Sequence, residues 1–367
     1  MIEYDQEQQG TQPGRWIMLV DRVRPTEDIY FLVSVAPVLR NQGMYVKEID
    51  TRRNWCPWWR SAELPSLFEG ANVLICRSLP RAWLHWLFQH KAIIGRIIYL
   101  IDDNIEAASN DTTLPIAYRR RMRRVAKLQP SMIALADEVV TPSQQLAETL
   151  RLKHAHVSVL PPPLLAPLPP LLHFKEPPNE TKPWQVGFHG TRSHVADLAQ
   201  IAPAIIQLHD QREDVMFEVM LGEHTPKALK LLHRCVTPAP LPWKAFHEYQ
   251  RQRRIHIGLA PLLPTAFNRG KSYIKFLDIA AMGGVGIFSN RYPYDEIIEH
   301  GVDGLLADDD PADWLHCMQV LLDDPEATLA MARAAAKKAA AIGHHQHALS
   351  FWLARSAAIS HSPSTGS

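Results

Sequence analysis

Several broad classes are excluded by what this sequence has little of. Cysteine is scarce: Cys56, Cys76, Cys235 and Cys317 are the only four, and none stands at the C-x-x-C spacing of a zinc site. A disulfide framework is therefore not expected, and a reducing cytosol fits the chain best. An excess of one charge is also missing. Lys and Arg number 39 against 38 Asp and Glu, so the formal net charge is +1 and any basic surface must be local. No nucleic acid partner is expected on that ground. No apolar run approaches the ~20 residues of a membrane span, and the first fifteen residues are polar, so neither a span nor a signal peptide is expected.

What is present is an alternation. At 367 residues the chain has room for two domains, and 46% hydrophobic content is that of a soluble globular protein. Short apolar runs alternate with helical patterns, which is the signature of βαβ units and parallel sheets. The first half predicts strands at 16–20, 45–49, 73–76, 97–101, 138–141 and 157–160. Helices are predicted between them, at 29–41, 81–89, 116–128 and 143–151. Pro161 to Pro183 then holds nine prolines in twenty-three residues, a semi-rigid linker and a domain boundary. The second half restarts the pattern. It predicts strands at 185–188, 216–220, 255–259 and 286–289, and helices at 195–209, 226–235, 271–282, 294–300, 311–322 and 326–341. Two α/β domains imply a cleft, with ligands beyond the carboxyl ends of the strands.

The richest segment is Asn268-Arg269-Gly270-Lys271-Ser272-Tyr273-Ile274-Lys275-Phe276-Leu277-Asp278. Read as a helix start, it places Lys271, Lys275 and Asp278 on one face, at i, i+4 and i+7. Helix N-termini attract phosphate, two lysines there suit a diphosphate, and a carboxylate further along suits sugar hydroxyls. The bland alternative is a solvated helix start. Gly190 and Thr191, after the strand at 185–188, read either as a loop facing a phosphate or as a plain βα turn with an N-cap. Asp102 and Asp103 follow the strand at 97–101, where α/β folds put reactive groups. One of them suits a general base or an acceptor contact; a structural turn is the alternative. Arg119-Arg120-Arg121-x-Arg123-Arg124 marks a basic helix face, either simply solvated or facing anionic lipid or saccharide. Trp55, Trp58, Trp59, Trp83 and Trp86 crowd the first half, with core packing as the default reading. His344-His345-x-His347 has no carboxylate or cysteine partner nearby and reads as surface histidines.

Several of these segments, in order, resemble the donor half of a GT-B glycosyltransferase of the family 4-like group. They are Phe188-His189-Gly190-Thr191 with His194 and Asp197, Ile257 to Leu262, Lys271-Ser272-x-x-Lys275-x-x-Asp278, Tyr294-x-Glu296, and His300-Gly301-Val302-x-Gly304-Leu305-Leu306. The resemblance covers about residues 184–340. It implies an α/β GT-B fold of two Rossmann-like domains with a cleft between them. With the proline-rich linker at 161–183 and a polar end at 361–367 that reads as a disordered tail, the layout expected is 1–160 for the acceptor, 184–345 for a nucleotide-sugar donor, and 346–360 as a helix returning to the first domain. The resemblance also implies that Lys271 and Ser272 approach the diphosphate, Asp278 the ribose, and Gly190 and Thr191 the donor phosphates. The donor is a substrate, so no cofactor and no metal are expected. The partners implied are a nucleotide-diphosphate sugar and a saccharide or lipid-linked acceptor, with peripheral membrane contact through Arg119–Arg124 and a cytoplasmic location. Three positions depart from the family pattern. Gly270 stands where a sugar-contacting Glu is usual, Gly286 where a proline is usual, and His256 where an aspartate is usual. A nucleotide-sugar 2-epimerase of the same fold and a non-catalytic relative remain as alternatives.

Overall fold

The computed structural model describes residues 14–21, 25–60, 63–175 and 178–356. The tail expected at 361–367 and the end of the helix expected to 360 lie outside the described residues. The first sheet contains β1 (Arg15–Val20), β2 (Tyr45–Asp50), β3 (Asn72–Cys76), β4 (Arg96–Leu100), β5 (Glu138–Thr141) and β6 (Val157–Val159). The second contains β7 (Trp184–His189), β8 (Val215–Met220), β9 (Cys235–Val236), β10 (Ile257–Ala260), β11 (Val285–Ser289) and β12 (Leu305–Ala307). Strand orders are β2-β1-β3-β4-β5-β6 and β12-β11-β10-β7-β8-β9. Every pairing is parallel. Strand order reverses between β1 and β3 in one sheet and between β7 and β10 in the other. At such switch points the connections leave to opposite faces, and a crevice opens beyond the carboxyl ends.

Both faces of the first sheet are covered, which is why its strands read as continuous apolar runs. Alternate residues serve opposite cores. Ile17, Leu19, Val73, Ile75, Ile97 and Tyr99 enter one, while Trp16, Met18, Leu74, Cys76, Ile98 and Leu100 enter the other. The second of these cores is completed from the far end of the chain. The helix His345–Ser356 places Ala348, Leu349 and Trp352 in it. Trp352 is fully buried, lies 5.5 Å edge-on to Trp16 and 5.3 Å from Phe31, and donates its indole N–H to the Tyr30 carbonyl at 2.8 Å. The proline-rich segment is packed rather than free: Pro162, Pro163 and Ala166 are buried, and Phe174 joins the core of the second sheet.

Several elements differ from the sequence expectations. The helix expected at 271–282 runs only from Ile274 to Ala281, after a 3-10 turn at Asn268–Gly270. Residues 294–297 form a turn, and the chain leads on to a bridge at His300, with no helix between; the helix expected at 226–235 shortens to Lys227–Lys230, followed by β9. A ten-residue helix, Trp243–Gln252, appears where none was expected. Among the described residues, no helix is long and apolar enough to cross a membrane.

Candidate functional site

On the first-domain side, the site is built from the loops that leave β1, β3 and β4. Arg77 follows β3 with a φ of 56°, the only non-glycine among the described residues in the left-handed region. Such a backbone costs on the order of 1 kcal/mol and persists where surroundings enforce it. Here the Arg77 amide donates to the Leu100 carbonyl at 2.9 Å, and the Tyr99 hydroxyl donates to the Arg77 carbonyl at 2.9 Å. The guanidinium then spans the pair after β4, 2.9 Å from Asp102 Oδ1 and 2.9 Å from Asp103 Oδ2. Thr26, in the one-turn helix Pro25–Glu27 that comes after β1, donates its hydroxyl to Asp102 Oδ2 at 2.6 Å. Its neighbour Glu27 is 2% exposed, and burial pushes its carboxyl up to about 8, so it is protonated at neutral pH.

On the opposite side stand the loops leaving β7 and β10. Asp197 joins them: its Oδ1 accepts from the Leu263 amide and from Asn268 Nδ2, each at 2.8 Å, while its Oδ2 lies 2.8 Å from His194 Nδ1. This fixes the 3-10 turn that ends at Gly270. Lys271 follows in extended conformation, with ψ of 156°. Its ammonium crosses the cleft to Asp103 Oδ1, at 2.6 Å, and sits 4.1 Å over the Phe267 ring. Phe267 itself is 1% exposed and belongs to the core of the first domain.

Electrostatics separate the two carboxylates. Burial opposes the charge on both, but Lys271 and Arg77 together hold Asp103 well below the usual carboxylate range. Asp102 goes the other way: burial, and the negative charge of Asp103, raise it against the pull of Arg77. Burial likewise opposes the charge on Lys271, and Asp103 outweighs it, so the ammonium is held more firmly than in water.

The residues singled out from sequence fall into three groups. Asp102, Asp103 and Lys271 converge, and Ser272 meets the buried phenol of Tyr30 close by. Lys275 and Asp278 form a second pair at 3.3 Å, with Lys275 5.9 Å from the Phe246 ring and Asp278 accepting from Gln250 Nε2 at 2.7 Å. Asp278 and Gln250 line a cavity of about 20 Å³, room for about one water. Gly190 and Thr191 occupy the loop after β7, where Thr191 Oγ1 lies 2.8 Å from Ser193 Oγ. The expectation of one shared helical face therefore fails for Lys271. It precedes the helix by three residues and has extended backbone, so the i, i+4 spacing does not apply to it. Arg77, Thr26 and Glu27 were missed. Arg77 carried the same signal as Asp102 and Asp103, a charged side chain directly after an apolar strand.

The three departures from the family pattern have local causes. A Cβ at Gly270 would lie 3.3 Å from the Asn104 Cβ of the first domain, and Ser143 donates its hydroxyl to the Gly270 carbonyl at 2.8 Å. The first domain thus packs closely against this position, and a Cβ fits there only with a small shift of its neighbour. A Cβ at Gly286 would run into the Phe288 ring. His256 sits between Trp184 at 5.2 Å and Phe174 at 4.9 Å and accepts from the Gln185 amide at 2.9 Å. Burial pushes it down to about 4, so it is neutral.

No protein-family model matches the sequence, and no curated protein matches it. Solved structures do match it. A sucrose-phosphate synthase from Thermosynechococcus elongatus aligns with a TM-score of 0.67 and 11% identity, over 93% of this chain and 98% of its own. Anabaena HepE, solved in complex with UDP-glucose, aligns at 0.61 and 12%, over 93% and 98%. A candidate UDP-N-acetylglucosamine 2-epimerase from Listeria monocytogenes aligns at 0.51 and 15%, over 89% and 94%. At these identities the likeness is one of fold: this chain has the GT-B fold, two Rossmann-like domains facing each other across a cleft.

Proposed function

We propose that this protein is a Leloir-type glycosyltransferase of the hexosyltransferase class. It moves a sugar from a nucleotide-diphosphate sugar to a saccharide or lipid-linked acceptor, in bacterial surface polysaccharide synthesis. The observation that carries the reading is the convergence of Lys271 with Asp102, Asp103 and Arg77 where the switch-point loops of two facing Rossmann-like domains meet. A nucleotide-sugar donor needs a cation at its diphosphate, and the acceptor hydroxyl needs a proton acceptor on the other wall. Lys271, Ser272 and Lys275 take the donor phosphates, beside the Gly190–Thr191 loop, and Asp278 takes the ribose. Charge developing on the departing diphosphate is then stabilised by groups already in place. Of the two carboxylates, Asp102 suits proton acceptance, because Asp103 is held low by two cations. Anabaena HepE, with the same fold, was solved with UDP-glucose, which supports a UDP-sugar donor. Arg120, Arg121, Arg123 and Arg124 are exposed on the helix Ile116–Ala126, which supports a cytoplasmic protein that meets the inner face of the membrane through this helix.

The likeness to the Listeria epimerase candidate supports a second reading, 2-epimerisation of a nucleotide sugar without an acceptor. Incubation with a panel of UDP-sugars, with and without saccharide acceptors, separates the two. Transfer yields free UDP and an extended acceptor, and epimerisation yields a new UDP-sugar with no UDP released. Lys271→Ala is expected to lower donor affinity by about tenfold or more, from loss of a charge-assisted contact. Unchanged donor affinity in that variant sinks the phosphate assignment.

A further inference from the structure

The ammonium that a donor diphosphate requires is already engaged. Lys271 Nζ lies 2.6 Å from Asp103 Oδ1, with side chains only 19% and 9% exposed. The turn that carries Lys271 is held to the first domain at Gly270, whose carbonyl accepts from the Ser143 hydroxyl at 2.8 Å, and a Cβ there would lie 3.3 Å from the Asn104 Cβ. Elsewhere on the second domain, the Tyr292 hydroxyl accepts from the Gln144 amide at 2.9 Å. Within the cluster, the charges of Arg77 and Lys271 match those of Asp102 and Asp103. An incoming diphosphate meets a cation whose positive charge is already matched at hydrogen-bond distance.

We propose that Asp103 is an internal competitor of the donor diphosphate for Lys271, and that this exchange sets donor affinity. The inference rests on the donor reading above and adds a role for Asp103 that differs from proton acceptance. When diphosphate takes Lys271, Asp103 keeps its bond to Arg77, so the carboxylate is never left buried without a cation. The competition is one for one: a phosphate oxygen replaces a carboxylate oxygen on the same ammonium. Removing the negative charge at 103 therefore strengthens donor binding, although the residue lies in the active cleft, and the gain exists only while Lys271 is present.

UDP is the probe. Calorimetry on wild type, Asp103→Asn, Lys271→Ala and the double variant is expected to show UDP bound about tenfold more tightly by Asp103→Asn, and no such gain in the Lys271→Ala background. A second measurement uses the native protein, so it stands even where a variant fails to fold. A water-soluble carbodiimide is expected to couple Lys271 to Asp103 as an amide, read by peptide mass spectrometry, and UDP is expected to suppress the coupling over its binding range. Asp103→Asn binding that is equal or weaker, a gain that persists without Lys271, or coupling that UDP leaves unchanged while bound overturns the competition. Loss of UDP binding from every protein, wild type included, overturns the donor reading and the competition with it.

Discussion

Glu27 is a single residue whose consequences extend to the whole protein's pH response. Its folded pKa of about 8 lies above the unfolded value of 4.5, because burial disfavours the ion. The folded state therefore keeps a proton that the unfolded chain releases. That contribution to stability is fully present below pH 4.5 and shrinks as pH rises, until it is lost near pH 8. Glu27→Gln, which keeps the shape and removes the titration, is expected to flatten the slope between pH 5 and 8. At pH 8 it should stabilise the fold by up to about 4 kcal/mol. Urea midpoints at pH 5.5 and pH 8 check this, and an unchanged slope refutes it. Glu27 was not legible in the sequence, because nothing local to Pro25-Thr26-Glu27 announces its burial; the carboxyl is buried only after β1, β3 and β4 assemble. Asp102 and Asp103 were legible, because an apolar run ending in two carboxylates carries its own direction.

Elements account for how the loops of the second sheet come together. Gly187 of β7, Gly258 of β10 and Gly286 of β11 stand in register across the second sheet. A Cβ at Gly258 would enter the side chain of Ile279, and one at Gly187 would come within 2.7 Å of the His189 ring. The row forms a shallow trough on one face, and helix Ile274–Ala281 lies close to the sheet because of it. Gly258→Ala is expected to cost roughly 1–3 kcal/mol by overpacking. A lowered urea midpoint with an unchanged slope checks this, and a neutral result refutes it. Strands such as Glu138–Thr141 were readable to the residue, since buried parallel strands are bounded apolar runs. Helix Trp243–Gln252 was not, because it follows a proline-rich stretch and most of its residues are polar. The start of helix Ile274–Ala281 was misread for another reason: the turn at Asn268–Gly270 is held by Asp197, seventy-one residues earlier. Long-range bonds of that kind leave no trace in local spacing.

At the scale of the molecule, the first domain is completed by the last helix. Trp352 closes a core built from β1, β3 and β4, and Arg355 donates to Glu138 Oε2 at 2.9 Å. Trp352→Ala is expected to destabilise by about 3–5 kcal/mol, the usual cost of removing a buried aromatic. The loss should fall mainly on the first domain, since Trp352 does not enter the core of the second sheet. Hydrogen exchange resolved by domain checks the prediction, and equal loss of protection in both domains refutes it. The chain thus passes between the domains twice, once through the proline-rich segment and once before His345. The two passages meet: the Leu164 amide donates to the Gly343 carbonyl at 2.8 Å, and a Cβ at Gly343 would lie 2.9 Å from the Leu164 backbone nitrogen. Two tethers joined at one point act as a hinge pin. An opening that keeps this hydrogen bond turns about Leu164 and Gly343, like a jaw.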